Sequence, residues 1–434
     1  MKLEFKKMGI NGEGIGFLQK KPVFCDDVYP GETAEIEITE QKPNYAYAKL
    51  IKRITSSEHR IKSVCPYQQE CGSCPLLCME HSAQEENKLE ILRETLYRYA
   101  GIKSLHVRKM HGDTRSYGYR SACKLPIAEV DGKLCTGMYA RNSNRFIAVD
   151  HCPIHTPELE EKRRQILAVL NHHKYPVYTS KTRQGLRFLI IRTIQKQTQC
   201  TLVTGKETIP EALVKELSSL PGITGIFQSI NQQKNTRSAI GSVPRLLYGT
   251  ASITIEICGI TLNLPPDAFF QLNIEQAERL YTMAVSKIDP CDLLVEAYCG
   301  VGAMSLMAAS KAKRIIGIEN VPAAVEYARH NAEQNGIQDK ARFICEDAAK
   351  GLTEIKEDVG CLLVDPPRSG LSEEMMRAIL EKMPKRIVYI SCNPATLAKN
   401  LNQLKRKYHI LTIIPYDLFP STQHIETIVV LSKM

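Results

Sequence analysis

The sequence predicts an α/β chain of several domains. A doubly wound sheet is expected at the C-terminus, a five-stranded barrel of the OB type at the N-terminus, and a mixed, mostly β region between them. Three observations carry this. Short apolar runs alternate with helical periods from Leu293 onward, the pattern of βα units. Turn glycines separate short alternating segments within residues 1–54. The length of 434 residues exceeds what one compact core needs. The expected boundaries are 1–54, 55–250 and 251–434.

Composition narrows the class. Lys and Arg number 57 against 47 Asp and Glu, and the net charge of +10 favours a polyanionic partner. No apolar run is long enough to span a bilayer, and Met1 to Lys7 lacks the apolar core of a secretion signal. A cytoplasmic protein without membrane attachment is therefore expected. Cysteine is abundant and odd in number, at 15, which argues for reduced thiols, some of them metal ligands.

In chain order, Gly9 to Phe17 supplies turn glycines, while Ala34–Ile38 and Tyr45–Leu50 alternate as half-buried strands do. Next, Cys65, Cys71 and Cys74 stand at C-x5-C-x2-C, with Gly72 relieving crowding between two of them. Three thiols so spaced can converge on one metal centre, which then needs a fourth ligand; the alternative is three unlinked cysteines. Cys152, in a turn-like setting after a strand, is preferred to Cys78, which lies where the helical pattern Glu80–Tyr99 is starting. Zinc and an iron–sulfur cluster both suit four thiols. The spacing is not the C-x3-C-x2-C of radical enzymes. From Gly101 to Gly249, Arg115, Arg120, Lys124, Arg141, Arg145, Arg183, Arg187 and Arg192 interleave with Tyr117, Tyr119, Tyr139 and Phe146. These residues read equally as a phosphate-clamping, base-stacking surface and as solvated strand faces. A helix is expected over Pro157–Leu170, a hairpin over Ile253–Leu264 turning at Cys258-Gly259, and then a helix to Ser286.

The βα alternation follows. Strands are predicted at Leu293–Ala297, Arg314–Ile318, Arg342–Ile344, Cys361–Val364 and Arg386–Ile390, with helices at Ala303–Ser310, Pro322–Asn335 and Glu373–Met383. Terminal β runs His409–Ile414 and Thr427–Leu431 complete the sheet.

Chemistry gathers at the ends of these strands, where open α/β sheets bind ligands. Tyr298-Cys299-Gly300-Val301-Gly302 is a glycine turn that lets a nucleotide-like ligand approach the backbone, and Glu319, ending the second strand, suits ribose hydroxyls. Ser305 occupies the third glycine position, which disfavours pyrophosphate; the pairing fits a dinucleotide or an S-adenosylmethionine site. Asp365-Pro366-Pro367-Arg368 makes a rigid corner that holds a carboxylate. Ser391-Cys392-Asn393-Pro394 puts a thiol at a strand end, before a helix opened by Pro394 and Thr396.

With Phe269-Phe270-Gln271-Leu272-Asn273 and His424-Ile425-Glu426-Thr427, these motifs together resemble the RNA uracil-C5 methyltransferase family across nearly the whole chain. The opening residues Met8–Gly16 resemble a TRAM domain, an OB-like RNA-binding module. With that start and the cysteine segment, the chain looks most like the branch that makes 5-methyluridine in 23S ribosomal RNA. The resemblance implies a class I methyltransferase domain, with Cys392 as nucleophile and Glu426 as base. It implies that Gln271, Tyr298, Gly300, Glu319 and Asp365 bind S-adenosylmethionine, and that Cys65, Cys71, Cys74 and Cys152 hold a 4Fe-4S cluster. A monomer with no obligate protein partner is expected. Two positions depart from the family pattern: Glu296 stands for the usual Asp, and Ser73 for a common Gly.

The chemistry stands on its own. Uracil C5 is a poor nucleophile until a thiolate adds at C6, and a base must then remove the C5 proton so that the thiol can leave. A stacked base hides both carbons, so it must be flipped or lie in a loop, with Phe269 or Phe270 as stacking partners. The rivals are a cytosine-C5 methyltransferase, a tRNA uracil-C5 methyltransferase, and an RNA-binding or RNA-folding protein without turnover.

Overall fold

A computed structural model describes residues 1–103, 107, 109–112, 115–141, 143–233 and 239–434. They form two compact units. One comprises Met1–Ser116, Pro366–Met376 and Ile387–Met434, the other Tyr117–Asp365 and Arg377–Arg386.

The first unit opens with a closed barrel of β1 (Lys2–Met8), β2 (Gly14–Leu18), β3 (Lys21–Cys25), β4 (Thr33–Gln41) and β5 (Ala46–Thr55), in the order β1-β2-β3-β5-β4. Alternation turns Phe5, Val23, Cys25, Ala34, Ile36 and Ala46 inward, where with Val28 they make the barrel's core. Gly14 is required there, since a Cβ would stand 2.6 Å from the Val28 carbonyl oxygen. The one-turn helix α1 (Gln68–Cys71) ends on left-handed Gly72, and α2 (His81–Ala100) ends on left-handed Gly101, whose amide donates to Leu96 and Tyr97. The short strand β6 (His111–Gly112) follows.

The second unit holds a seven-stranded sheet built from β7 (Ala122–Val130), β8 (Lys133–Tyr139), β9 (Phe146–Ala148), β10 (Leu186–Ile194), β11 (Gln197–Thr204), β12 (Ile223–Ile230) and β13 (Arg245–Gly249), ordered β13-β12-β11-β10-β7-β8-β9. Helices α3 (Pro157–His172) and α4 (Glu211–Ser218) supply Leu159, Ile166, Leu170, Leu213 and Leu217 to a core shared with Leu189, Ile191, Cys200 and Leu202. The hairpin β14 (Ile253–Ile257) and β15 (Ile260–Leu264) turns at Cys258-Gly259, and α5 (Ile274–Ser286) follows. Then come β16 (Cys291–Ala297), α6 (Ala303–Met307), β17 (Ala312–Glu319), α7 (Pro322–Gln334), β18 (Ala341–Cys345), α8 (Ala348–Glu354) and β19 (Cys361–Val364). These strands run parallel in the order β18-β17-β16-β19. Buried on both faces, β19 is apolar throughout.

Helix α9 (Glu373–Lys382) leads to β20 (Arg386–Ser391), α10 (Pro394–Leu404), β21 (Tyr408–Asp417) and β22 (Glu426–Lys433). In the first unit the strand order is β20-β22-β21-β6. Among the described residues, no helix is long and apolar enough to cross a membrane.

Candidate active site

In the second unit, register aligns the predicted cofactor residues. Ala297, the last residue of β16, pairs with Ile318 on β17 and Val364 on β19, so Tyr298, Glu319 and Asp365 follow on adjacent parallel strands at one edge. Tyr298 and Gly300 take left-handed φ angles of 66° and 53°, and a Cβ on Gly300 would meet open space. Its backbone, rather than crowding, calls for glycine. Glu319 is fixed by three amides: Oε2 accepts from Gly300 N at 3.1 Å, and Oε1 from Asn320 N at 2.9 Å and Val321 N at 3.0 Å. A carboxylate has about four acceptor positions. These three bonds fix the carboxylate at the strand end and leave acceptor capacity on Oε2.

Burial pushes the Asp365 carboxyl up to about 7. It pushes Glu296, 1% exposed, up to about 8 against the opposing Ser305 hydroxyl, which donates to its Oε2. Thus the departure from Asp at position 296 gives a side chain long enough to engage α6. The Tyr298 phenol is raised to about 12 by burial and by the neighbouring Asp347 carboxylate. Asp347, which the sequence reading missed, follows β18 and caps α8 by accepting from Ala349 N and Lys350 N. The signal for it was an acid just past the third parallel strand.

Gln271 lies on the segment between β15 and α5, 6% exposed. Arg192 on β10 donates to the Pro265 and Ala268 carbonyls at 2.8 and 2.5 Å, and Ser121 donates its amide and hydroxyl to Leu272 O at 2.8 and 2.9 Å. Arg192 is therefore a structural tie and not the phosphate clamp or solvated side chain considered from sequence. Arg187 is likewise engaged with the Asn231 and Gln233 carbonyls. Of the two stacking candidates, Phe270 is buried against Tyr281, ring centroids 6.5 Å apart, whereas Phe269 is 76% exposed.

In the first unit, half-buried Cys392 stands one residue past β20. The turn is held on both sides. Asn393 Oδ1 accepts from Ala395 N at 3.0 Å as the N-cap of α10, while its Nδ2 donates to Arg368 O at 3.0 Å. Thr396 Oγ1 reaches the same carbonyl at 3.4 Å. The rigid residues after Asp365 thus brace the thiol's turn, and the N-terminus of an 11-residue helix favours negative charge beside it. Glu426, 4% exposed, is the first residue of β22, the neighbour of β20.

Cys65, Cys71 and Cys74 are half-buried in the first unit, around α1. Burial, with the Cys71 and Cys78 thiols nearby, raises the Cys65 thiol, and the Cys71 Sγ lies 3.1 Å from the Ser73 hydroxyl. Cys78 is 8% exposed. Cys152, also half-buried, belongs to the second unit, between β9 and α3, where its carbonyl accepts from His155 N at 3.1 Å.

The family model described as tRNA (uracil-5-)-methyltransferase matches residues 81–434. The chain belongs to this family. A TRAM domain model matches residues 1–51, the span of the barrel. A protein of Enterococcus faecalis named an uncharacterized RNA methyltransferase is 32% identical, over 99% of this chain and 97% of its own. One of Listeria monocytogenes, similarly named, is 33% identical over 99% and 96%. The crystal structure of the Pyrococcus abyssi tRNA (uracil-54, C5)-methyltransferase in complex with S-adenosyl-L-homocysteine is 23% identical, with a TM-score of 0.77 over 99% of this chain and 100% of that one. The uracil-5-methyltransferase fold thus runs the length of the chain.

Proposed function

We propose that the chain transfers a methyl group from S-adenosylmethionine to C5 of a uridine in RNA, with Cys392 as nucleophile and Glu426 as base. The observation that carries this is the braced Cys392 turn at the end of β20, beside a strand that opens with Glu426, in a member of this family.

S-adenosylmethionine supplies an electrophilic methyl on a sulfonium, and the acids at the end of β17 and just after β19 suit its hydroxyls and positive charge. Tyr298, Gly300, Glu319, Asp365 and Gln271 would hold it. The Cys392 thiolate adds to C6, and the displaced electron pair makes C5 nucleophilic. C5 takes the methyl group as the S–CH3 bond breaks, its electron pair staying on sulfur to leave neutral S-adenosylhomocysteine, and Glu426 then takes the C5 proton. The electrons of that C–H bond reform the C5–C6 double bond and expel the Cys392 thiolate. Phe269, exposed on the segment that carries Gln271, is suited to stack on an unpaired base. By the resemblance, Cys65, Cys71, Cys74 and Cys152 would hold a 4Fe-4S cluster; what supports this is that none of the four is sealed in a hydrophobic core.

The finer substrate we propose is 23S ribosomal RNA, on the resemblance of the barrel and cysteine segment to that branch. The second reading, tRNA, is favoured by one observation: the Pyrococcus abyssi tRNA methyltransferase matches 99% of this chain, so full-length architecture does not mark a ribosomal substrate. The test is mass spectrometry of 23S RNA and of tRNA after incubation with S-adenosylmethionine carrying a heavy methyl group, beside Cys392→Ala. Heavy uridine in ribosomal RNA, absent with the variant, is expected. Label in tRNA alone moves the substrate, label on cytosine overturns the base, and none on either returns the chain to an RNA-binding role.

A further inference from the structure

The face that α2 turns inward carries two groups that burial alone would expel. Gln84 and Lys88, one helical turn apart, are 1% and 0% exposed. An ammonium or amide taken out of water needs partners, and both side chains find them on one short segment that starts at Asp417, the last residue of β21. Lys88 Nζ donates to Asp417 Oδ1 at 2.7 Å and to Phe419 O at 3.3 Å. Gln84 Oε1 accepts from Ser421 N at 2.7 Å, and its own Nε2 is fixed by Met79 O at 2.9 Å. Leu76 N, two residues past Cys74, donates to Ser421 O at 3.0 Å.

These bonds hold a residue that would not rest there alone. Ser421 has a φ of 66°, in the left-handed region that a non-glycine residue keeps only when its surroundings fix it. The constraint passes along the chain. Thr422 Oγ1 donates to Phe419 O at 2.7 Å and accepts from His424 N at 3.3 Å, and two residues later β22 opens with buried Glu426.

We propose that Gln84 and Lys88 are positioning residues for Glu426: α2 fixes the loop that delivers the base. The proposal rests on the function given above and makes a distinction within it. Proton removal from C5 follows methyl transfer, so a slack base loop leaves adduct formation running and slows release. The species that persists is the one in which the Cys392 Sγ–C6 bond is intact and C5 carries both the methyl group and its proton. Breaking that bond needs the C5–H electron pair, which only deprotonation frees.

The experiment is a single-turnover reaction with heavy-methyl S-adenosylmethionine and RNA, quenched in denaturant, comparing protein-bound methylated RNA with free product. Gln84→Met is the main variant. Lys88→Met/Asp417→Leu removes both charges together, leaving neither stranded in the core, and Glu426→Gln sets the maximum accumulation. We expect adduct to form within about twofold of the wild-type rate and to release about tenfold more slowly in both α2 variants. Formation and release falling in proportion, or release at the wild-type rate in a folded Gln84→Met protein, overturns the proposal. If Glu426→Gln itself traps nothing while wild type turns over, the assignment of the base fails first. If wild type forms neither adduct nor product, the functional reading falls and takes the proposal with it.

Discussion

Glu296 shows how one methylene changes a site. Its carboxyl is held up to about 8 by burial, so the folded chain keeps a proton that the unfolded chain releases. The folded value is raised, so stability is lost as pH climbs from about 4.5 through about 8, and the penalty at pH 7 is on the order of 3 kcal/mol. Glu296→Gln keeps the Ser305 bond without an ionisable group. Melting temperatures measured from pH 5 to 8.5 should fall for wild type and fall less for the variant, whose remaining decline, confined below about pH 7, is that of the buried Asp365 carboxyl. Phe269 and Phe270 make a second contrast between neighbours. Phe270→Ala should cost about 3 kcal/mol or more in denaturant unfolding, as a buried aromatic does. Phe269→Ala should leave stability within about 0.5 kcal/mol and weaken RNA binding in a filter or anisotropy assay by roughly tenfold, about the loss of one stacked base. The sequence named both phenylalanines but could not separate them, because two adjacent aromatics read alike until a loop points one inward. Lys88 was equally opaque: a lysine on a helix reads as solvated, and its partner lies 329 residues away.

At the scale of elements, strands and long helices were legible because their apolar periods are strong. The strand-end placement of Cys392, Glu319 and Asp365 came with them. What escaped was short or tied from a distance. Helix α8 is seven residues with a glycine inside, and depends on Asp347 for its cap; α4 is eight residues. The segment that carries Gln271 was readable as a motif but not as a fixed object. Its shape comes from Arg192 and Ser121, and no local pattern announces a guanidinium that binds carbonyls 73 and 76 residues on. Arg192→Met removes both of those bonds and keeps the apolar stem. We expect the KM for S-adenosylmethionine to rise about tenfold with a smaller fall in kcat, as when a positioned binding group is loosened. Equal KM values in steady-state assays would show that the segment holds its shape without Arg192.

At the scale of the whole molecule, neither unit is a continuous stretch of chain, which composition and motif spacing do not reveal. The cysteines illustrate the limit. Cys65, Cys71 and Cys74 group by local spacing and fall around one short helix, while the fourth proposed ligand, Cys152, lies in the other unit, where no local spacing points to it. Cys78 packs as a buried small hydrophobe, hydrogen-bonded through Ser63. On the proposed ligand set, iron and sulfide analysis of protein purified without air should find a cluster in wild type and in Cys78→Ala and none in Cys65→Ala, Cys71→Ala, Cys74→Ala and Cys152→Ala; the reverse for Cys78 and Cys152 would reassign the fourth ligand, and wild type without iron would overturn the cluster. The Lys88–Asp417 pair carries a consequence for biosynthesis. Lys88 leaves the ribosome 329 residues ahead of its partner, roughly 15 to 65 seconds at ordinary elongation rates. Throughout that interval α2 has an ammonium on its inward face and nothing to receive it. Helix α2 therefore waits, its inward face unpaired, for the last stretch of the chain to be translated, and a nascent chain stalled before Asp417 would present that face to chaperones and proteases.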